Sequence, residues 1–197
     1  MKLPPSFYLN PDVTQVAREL LGKYLYTHFD GMTVAGMIVE SEAYSTRERA
    51  CHAYDDRFTQ RTRVLFEAGG IAYVYLCYGI HALFNVVTNQ QGVAEAVLIR
   101  AVEPKIGLDV MSSRRGMSAQ KKNLTSGPGK ITKALGIDLT HNETSLSGKE
   151  IWIEDQGVVV KESQVEASPR IGVDYAGEDA LLPWRFTIKD NPWISGK

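Results

Sequence analysis

The amino-acid sequence predicts an α+β domain built on a mostly antiparallel sheet, and three observations lead there. Runs rich in β-branched and aromatic residues, such as GGIAYVYLCYG at 69–79, are bounded by glycine or turn residues and read as strands. Segments with helical spacing are few and short, and they do not alternate one for one with the strands as a parallel fold would require. No repeat, low-complexity tract or linker interrupts the 197 residues, so 1–197 reads as one domain long enough to bury a sizeable core.

Each element has a local reason. Asn10 is a good N-cap and Pro11 suits a first helical position; Val13, Val16, Ala17, Leu20 and Leu21 then recur at helical spacing until Gly22. A strand over Lys23–His28, a turn at Asp30-Gly31 and a strand from Met32 to Tyr44 predict a hairpin. Residues Ser45–Arg63 are polar, arginine-rich and poorly periodic, a loop with one short helix. In the strand that follows, Ile71, Tyr73, Tyr75 and Cys77 share one face, and Ala72, Val74, Leu76 and Tyr78 the other. Leu83–Val87 and Ala96–Val102 are strands around the turn-like TNQQG. A short helix falls between Pro104 and Pro128, and Lys130–Leu135 is helical up to Gly136. Strands recur at Ile151–Ile153 and Val158–Lys161, and the tail ends in PWRFTI.

Composition narrows the function classes. Hydrophobic residues at 44% and charged residues at 23% are ordinary for a water-soluble chain. The N-terminus lacks a basic start followed by an apolar block, and no apolar segment approaches the roughly 20 residues that cross a bilayer, so no membrane partner is expected. Cys51 and Cys77 make neither a disulfide framework nor a CxxC pair, which suits a reducing cytoplasm. No histidine/cysteine cluster has ligand spacing, so no metal and no cofactor are expected. Net charge is −1 but unevenly spread. Arg114, Arg115, Lys121, Lys122, Lys130 and Lys133 form one acid-free stretch, and Arg47, Arg49, Arg57, Arg61 and Arg63 enrich another, which points to a polyanionic partner.

The residues that carry chemistry stand out against apolar surroundings. In IVESEAY, strand alternation puts Ile38, Glu40, Glu42 and Tyr44 on one face, either a solvated surface or the floor of a site. Arg100, in VLIRAVEP, needs a carboxylate partner if buried, and Glu40 and Glu42 are candidates; such a pair could simply tie two strands together. His52, in RACHAY, can donate and accept toward a planar ligand, although a lone histidine is more often a surface or capping residue. Tyr44, Tyr73, Tyr75 and Tyr78 are a dense aromatic set; Tyr73 reads as cross-strand packing, and Tyr78 before Gly79 as an exposed turn tip suited to wedging. TSGPGK at 125–130 fails the phosphate-loop pattern, since Leu124 stands where the first glycine should and Ile131 follows the lysine.

Taken in order, IVESEAY, HAY, the arginine-rich loop, AYVYLCYGIHALFNVV, AVLIRAVEP, SGPGKITKALGI and SPRIGVDYAGEDALLPWRF resemble the alkyladenine (3-methyladenine) DNA glycosylase family, the single-domain type without a helix-hairpin-helix. The resemblance covers about Phe7 to Trp193, with Ser41 where the family usually has threonine and Asp179 where it has a bulkier residue. It implies a curved, mostly antiparallel sheet flanked by helices with a protruding β-hairpin. It also implies a monofunctional, cofactor-free, monomeric enzyme that flips alkylated or deaminated purines out of double-stranded DNA and hydrolyses the N-glycosidic bond, in the cytoplasm or at the nucleoid of a bacterium. Glu42 would be the general base and Arg100 would help place water and sugar-phosphate. Tyr44, His52 and Tyr75 would hold the flipped base, Asn85 would disfavour a 2-amino purine, and Tyr78 would intercalate. Ile80, Arg57, Arg61 and Lys130 would meet the DNA backbone. Two other functions fit the residues alone. One is a carbohydrate hydrolase using Glu40 and Glu42 as an acid/base pair, although both would lie on one side of the sugar. The other is a non-catalytic nucleic-acid-binding module with basic loops and exposed tyrosines.

Overall fold

Asp12 rather than Asn10 caps the N-terminal helix in the computed structural model, which describes residues 1–196. After the single turn α1 (Pro5–Tyr8), α2 (Val13–Glu19) begins with the Asp12 carboxylate accepting from the N–H groups of Thr14 at 2.9 Å and Gln15 at 3.1 Å. Two of the four orphan donors of the first turn are thereby satisfied. Asn10 accepts only from the Asp12 N–H, outside the helix. Asp30 and Gly31, at φ 52° and 74°, make the two-residue turn that pairs β1 (Tyr24–Phe29) with β2 (Met32–Ser45). A second hairpin, β3 (Ala72–Cys77) and β4 (His81–Val87), has Tyr78–Ile80 at its tip. Then come β5 (Glu95–Ile106), α3 (Leu108–Arg115), α4 (Pro128–Leu135), β6 (Ile151–Glu154), β7 (Val165–Ser168) and β8 (Arg185–Ile188).

The strands form one eight-stranded sheet in the order β3-β4-β5-β2-β1-β6, with β8 added to β2 and β7 to β8, and every pair antiparallel. The expected strand at Val158–Lys161 does not form. Its β-branched residues pack against Gly22 instead, and β-propensity makes no strand without a partner edge. Val165–Ser168 finds that edge on β8. The outer edge of β3 is covered by residues 142–145, through bonds from Ala72 N–H to Thr144 O and from Val74 N–H to the Asn142 side chain. Among the described residues no helix is long and apolar enough to cross a membrane.

β2 is the strand on which the site is built. β5 holds one of its edges, while β1 and β8 share the other: β1 pairs with Met32–Met37 and β8 with Glu40–Glu42. Where the partner changes, the register against β5 slips, with Ile38 opposite Val102, Glu40 opposite Ala101 and Ser41 opposite Ile99. Ile38, Ala43, Ile99 and Val102 all belong to the main core under the helices, and Ser41 Oγ donates to the Ala17 carbonyl of α2 at 2.7 Å. An odd step separates Ile38 from Ser41 and Val102 from Ile99, so both strands change face through the irregularity. The expectation that Ile38 shares a face with Glu40, Glu42 and Tyr44 therefore fails. Ile38 packs in the core, and the other three turn to the opposite side.

The helices α2, α3 and α4 lie on the core side against β2, β4 and β5. Leu20, Phe84, Ile99, Ile131 and Leu135 fill the space between without exposure. A smaller apolar cluster, with Cys51, Val64, Leu65 and Tyr73, lies on the other side beneath the 45–66 loop. Replacing Asp12 with alanine is expected to lower unfolding free energy by about 1 kcal/mol. Asn10→Ala, which removes no helix cap, should cost clearly less; urea denaturation of both variants measures the difference.

Candidate active site

A cavity of about 480 Å³ opens on the side of the sheet away from the helices. Its floor comes from β3, β4 and β5 through Tyr75, Asn85, Leu98 and Arg100. The loop after β2 contributes His52 and Arg61, and the segment between β7 and β8 contributes Ile171 and Tyr175. Such a mostly apolar cleft with a few fixed polar groups suits a small planar ligand.

Behind the cavity lies a buried charge cluster. Glu40 has no exposure and accepts from Arg100 Nε at 3.0 Å, Arg185 Nε at 2.7 Å, the Ser195 N–H at 2.6 Å and Ser195 Oγ at 2.9 Å. Three of these donors crowd Oε1 and one meets Oε2, and of the donor residues only Arg100 lines the cavity, so Glu40 is tied mainly to the structure behind it. Glu42, also without exposure, accepts from three: the Ile171 N–H on Oε1 at 2.8 Å, and the Tyr44 hydroxyl at 2.8 Å and Arg100 Nη1 at 3.3 Å on Oε2. One of its roughly four lone-pair sites stays unfilled. Glu42 does not itself line the cavity, but all three of its donor residues do.

Arg100 stays charged and Tyr44 neutral. Burial works against the Arg100 guanidinium, yet Glu42 and Glu40 outweigh it and hold its pKa above the usual value. Burial, and then the Glu42 carboxylate, push the Tyr44 hydroxyl well above the ordinary tyrosine pKa, so it remains a neutral donor.

The aromatic wall is equally ordered. Tyr73 and Tyr75 stack at 5.3 Å between centroids, and the His52 ring stands edge-on to Tyr75 at 4.6 Å. His52 Nε2 accepts from Arg61 Nη2 at 3.4 Å, which assigns its proton to Nδ1, 2.9 Å from the Tyr73 hydroxyl. Burial, with help from the Arg61 charge, lowers the His52 pKa to about 4 and keeps the ring neutral at physiological pH. Asn85 is buried and donates to the Tyr73 carbonyl at 3.0 Å.

The other expected contact residues are scattered. Tyr78 (87% exposed, φ 49°) and Ile80 (73% exposed) project from the hairpin tip. Arg61 is exposed and lies over the Tyr75 ring at 5.1 Å, at the cavity mouth. Arg57 is exposed, and Lys130 sits in the first turn of α4, beside the cavity-lining Pro128. The basic stretch at 114–133 is partly used up internally, since Arg114 donates to Ala134 O and Arg115 to Leu124 O and Asn123 O. Those two guanidinium groups tie α3 to the chain around α4.

Sequence reasoning gave no role to the tail residues of the site: Arg170, Ile171, Arg185 and Ser195. The logic applied to Arg100, an arginine among apolar neighbours that needs a carboxylate, would have marked Arg170 and Arg185. Nothing local marks a backbone amide such as that of Ile171. Asp179 also gains a role, since its Oδ2 accepts from the Arg49 N–H at 3.0 Å and ties the tail to the arginine-rich loop.

Comparison with known proteins agrees over the whole chain. The sequence model of the methylpurine-DNA glycosylase (MPG) family matches residues 6–192. A protein of Chlamydia felis is 48% identical over 188 residues, covering 94% of this chain and 95% of its own. One of Alkaliphilus oremlandii is 43% identical over 205 residues, covering 100% of both, and one of Clostridium perfringens 41% over 206 residues, again 100% of both. All three are named as candidate 3-methyladenine DNA glycosylases.

Glu40→Gln weakens the support of two buried guanidinium groups and is expected to destabilise the fold by roughly 3–5 kcal/mol, read from denaturant midpoints. The pH dependence of stability tests His52. The unfolded chain takes up a proton near pH 6.5 that the folded one refuses until about pH 4, so this contribution is complete above pH 6.5 and is lost as the pH falls toward about 4. His52→Gln should flatten that decline in melts recorded between pH 7 and 4.5.

Proposed function

The chain belongs to the methylpurine-DNA glycosylase family, and from that premise we propose that it acts on duplex DNA as a monofunctional 3-methyladenine DNA glycosylase, with Glu42 activating the water that replaces the base. One observation carries the reading: a buried carboxylate oriented by three donors, with one acceptor site unfilled, directly behind an aromatic cavity.

The damaged nucleotide leaves the stack while Tyr78, on the exposed hairpin tip, fills the gap, with Ile80 beside it. Flipping costs a few kcal/mol, least for damaged or mispaired bases, and stacking on Tyr44, Tyr75 and His52 returns roughly 1–3 kcal/mol. Asn85, on the cavity floor, narrows the space available to a 2-amino group. Arg57, Arg61 and Lys130 are available to the sugar-phosphate chain, Arg61 after it leaves the Tyr75 ring.

As the N-glycosidic bond breaks, its electron pair goes to the base nitrogen and positive charge builds on the sugar, as in glycoside hydrolysis. The Glu42 carboxylate stabilises that charge and takes a proton from the water attacking C1′, which leaves a hydroxyl on the sugar and a free base. Because Glu42 has no exposure, water reaches its free lone pair only after a small shift of Tyr44 or Arg100. An alkylated, cationic purine departs neutral without an acid. Hypoxanthine or ethenoadenine, being neutral, must be protonated as it leaves. The groups around Glu42 are a guanidinium, a phenol and a backbone amide, with no amine to attack the sugar, which supports water as nucleophile and no lyase step. Glu40 is held by Arg100, Arg185 and Ser195, of which only Arg100 lines the cavity, and this speaks against an acid/base pair acting on a carbohydrate.

The test is base release from duplex DNA carrying one hypoxanthine, ethenoadenine or 7-methylguanine, without added metal. Glu42→Gln is expected to lower single-turnover release by about 10²–10⁴-fold while lesion-DNA binding persists. Binding without release by the wild-type protein would favour a DNA-binding module instead.

A further inference from the structure

Glu42 takes one of its three hydrogen bonds from the amide of Ile171, in an irregular segment between β7 and β8. Such an amide is only as well placed as whatever anchors its segment. The anchor is Arg170. Its side chain has 0% exposure and grips Glu48 with both terminal nitrogens, Nη1 to Oε1 at 2.8 Å and Nη2 to Oε2 at 2.7 Å. Nη1 also donates to the Ala43 carbonyl at 2.9 Å, and Nη2 to that of Asp179 at 3.2 Å. The guanidinium lies 4.7 Å from the centroid of the Tyr44 ring, the ring whose hydroxyl is a second donor to Glu42. Glu48 in turn accepts from the Ala50 N–H at 2.8 Å, two residues before His52.

We infer that Arg170 and Glu48 are the positioning clamp of the site: the pair fixes the Ile171 amide and the Tyr44 ring, and through them the direction of the Glu42 lone pair left without a donor. Stability alone is a poor reason for the pair. A buried ion pair is often matched or bettered by apolar residues of similar volume, and Arg170 Nε stays buried without a partner. What apolar residues cannot supply is a fixed angle between three chain segments. The bidentate fork does supply it. The inference rests on Glu42 as the group that activates water.

The experiment compares wild type, Arg170→Lys and Glu42→Gln for single-turnover release of hypoxanthine, affinity for lesion DNA, and melting temperature. Lysine keeps the charge and loses the fork. Release by Arg170→Lys is expected to fall about 10–100-fold, the scale of a misaimed catalytic group, with affinity and folded fraction near wild type. If that variant does not fold, the double variant Glu48→Met with Arg170→Met, which removes both charges together, is measured in its place with the same expectation. Wild-type release in whichever variant folds overturns the clamp. A fall in release matched by an equal fall in DNA affinity also overturns it, and so does failure of both variants to fold, since each marks a contact needed only for structure. If Glu42→Gln keeps full activity, the reading of Glu42 falls first. If it is inactive while the clamp variants release normally, only the clamp falls.

Discussion

Two carboxylates and two guanidinium groups, the buried Glu40, Glu42 and Arg100 and the partly buried Arg185, meet where β2 exchanges β1 for β8 as its neighbour. Removing four charges from water is costly, and the cost is met only because each finds an opposite partner and further hydrogen bonds at 2.6–3.3 Å. Much of the molecule follows from satisfying this cluster. The register slip between β2 and β5 turns Glu40, Glu42 and Arg100 to the same side. The last residues of the chain return 155 positions to put the Ser195 amide on Glu40. Without that return Glu40 Oε2 would be a buried oxygen with no donor.

The sheet divides its labour by face. One side packs against α2, α3 and α4 and holds the main core; the other carries the cavity, the aromatic wall and the acids. Because successive strand residues alternate, every strand under the cavity serves both sides: Val74 beside Tyr75, Phe84 beside Asn85, Ile99 beside Arg100. The functional side chains therefore stand on backbone that the core already holds rigid. Loops and tail supply the rest, His52 and Arg61 at the cavity and the Ile171 and Ser195 amides on the acids.

How much of this was legible in the sequence depended on the range of the signal. The hairpin at Asp30-Gly31 and the shared face of Tyr73 and Tyr75 follow from turn chemistry and plain alternation, and both are present. Alternation misled at Ile38 because a bulge changes parity without leaving a mark in the residue pattern. Asn10 and Asp12 are both good caps, and only the bonds to Thr14 and Gln15 decide between them. Glu42, Tyr44 and Arg100 do meet, since a buried arginine and nearby acids seek each other. Ile171 and Ser195 act through backbone amides that no residue type marks, and their partners lie 129 and 155 residues away.

The β3 strand has a mechanical consequence. Tyr75, on β3 in the cavity wall, and Tyr78, in the turn directly after that strand, are joined by three residue steps, at most about 10 Å of chain. In the proposed function these are the probe that enters the helix and the plate that receives the ejected base. The β3–β4 pairing runs up to Cys77 and His81, so the tip that carries Tyr78 is held close to the strand that carries Tyr75, and the two act as marks a short chain length apart. Under the proposed function, a base reaching the pocket would have to lie within that chain length of the gap, so hairpin geometry would act as a filter before any base is chemically recognised.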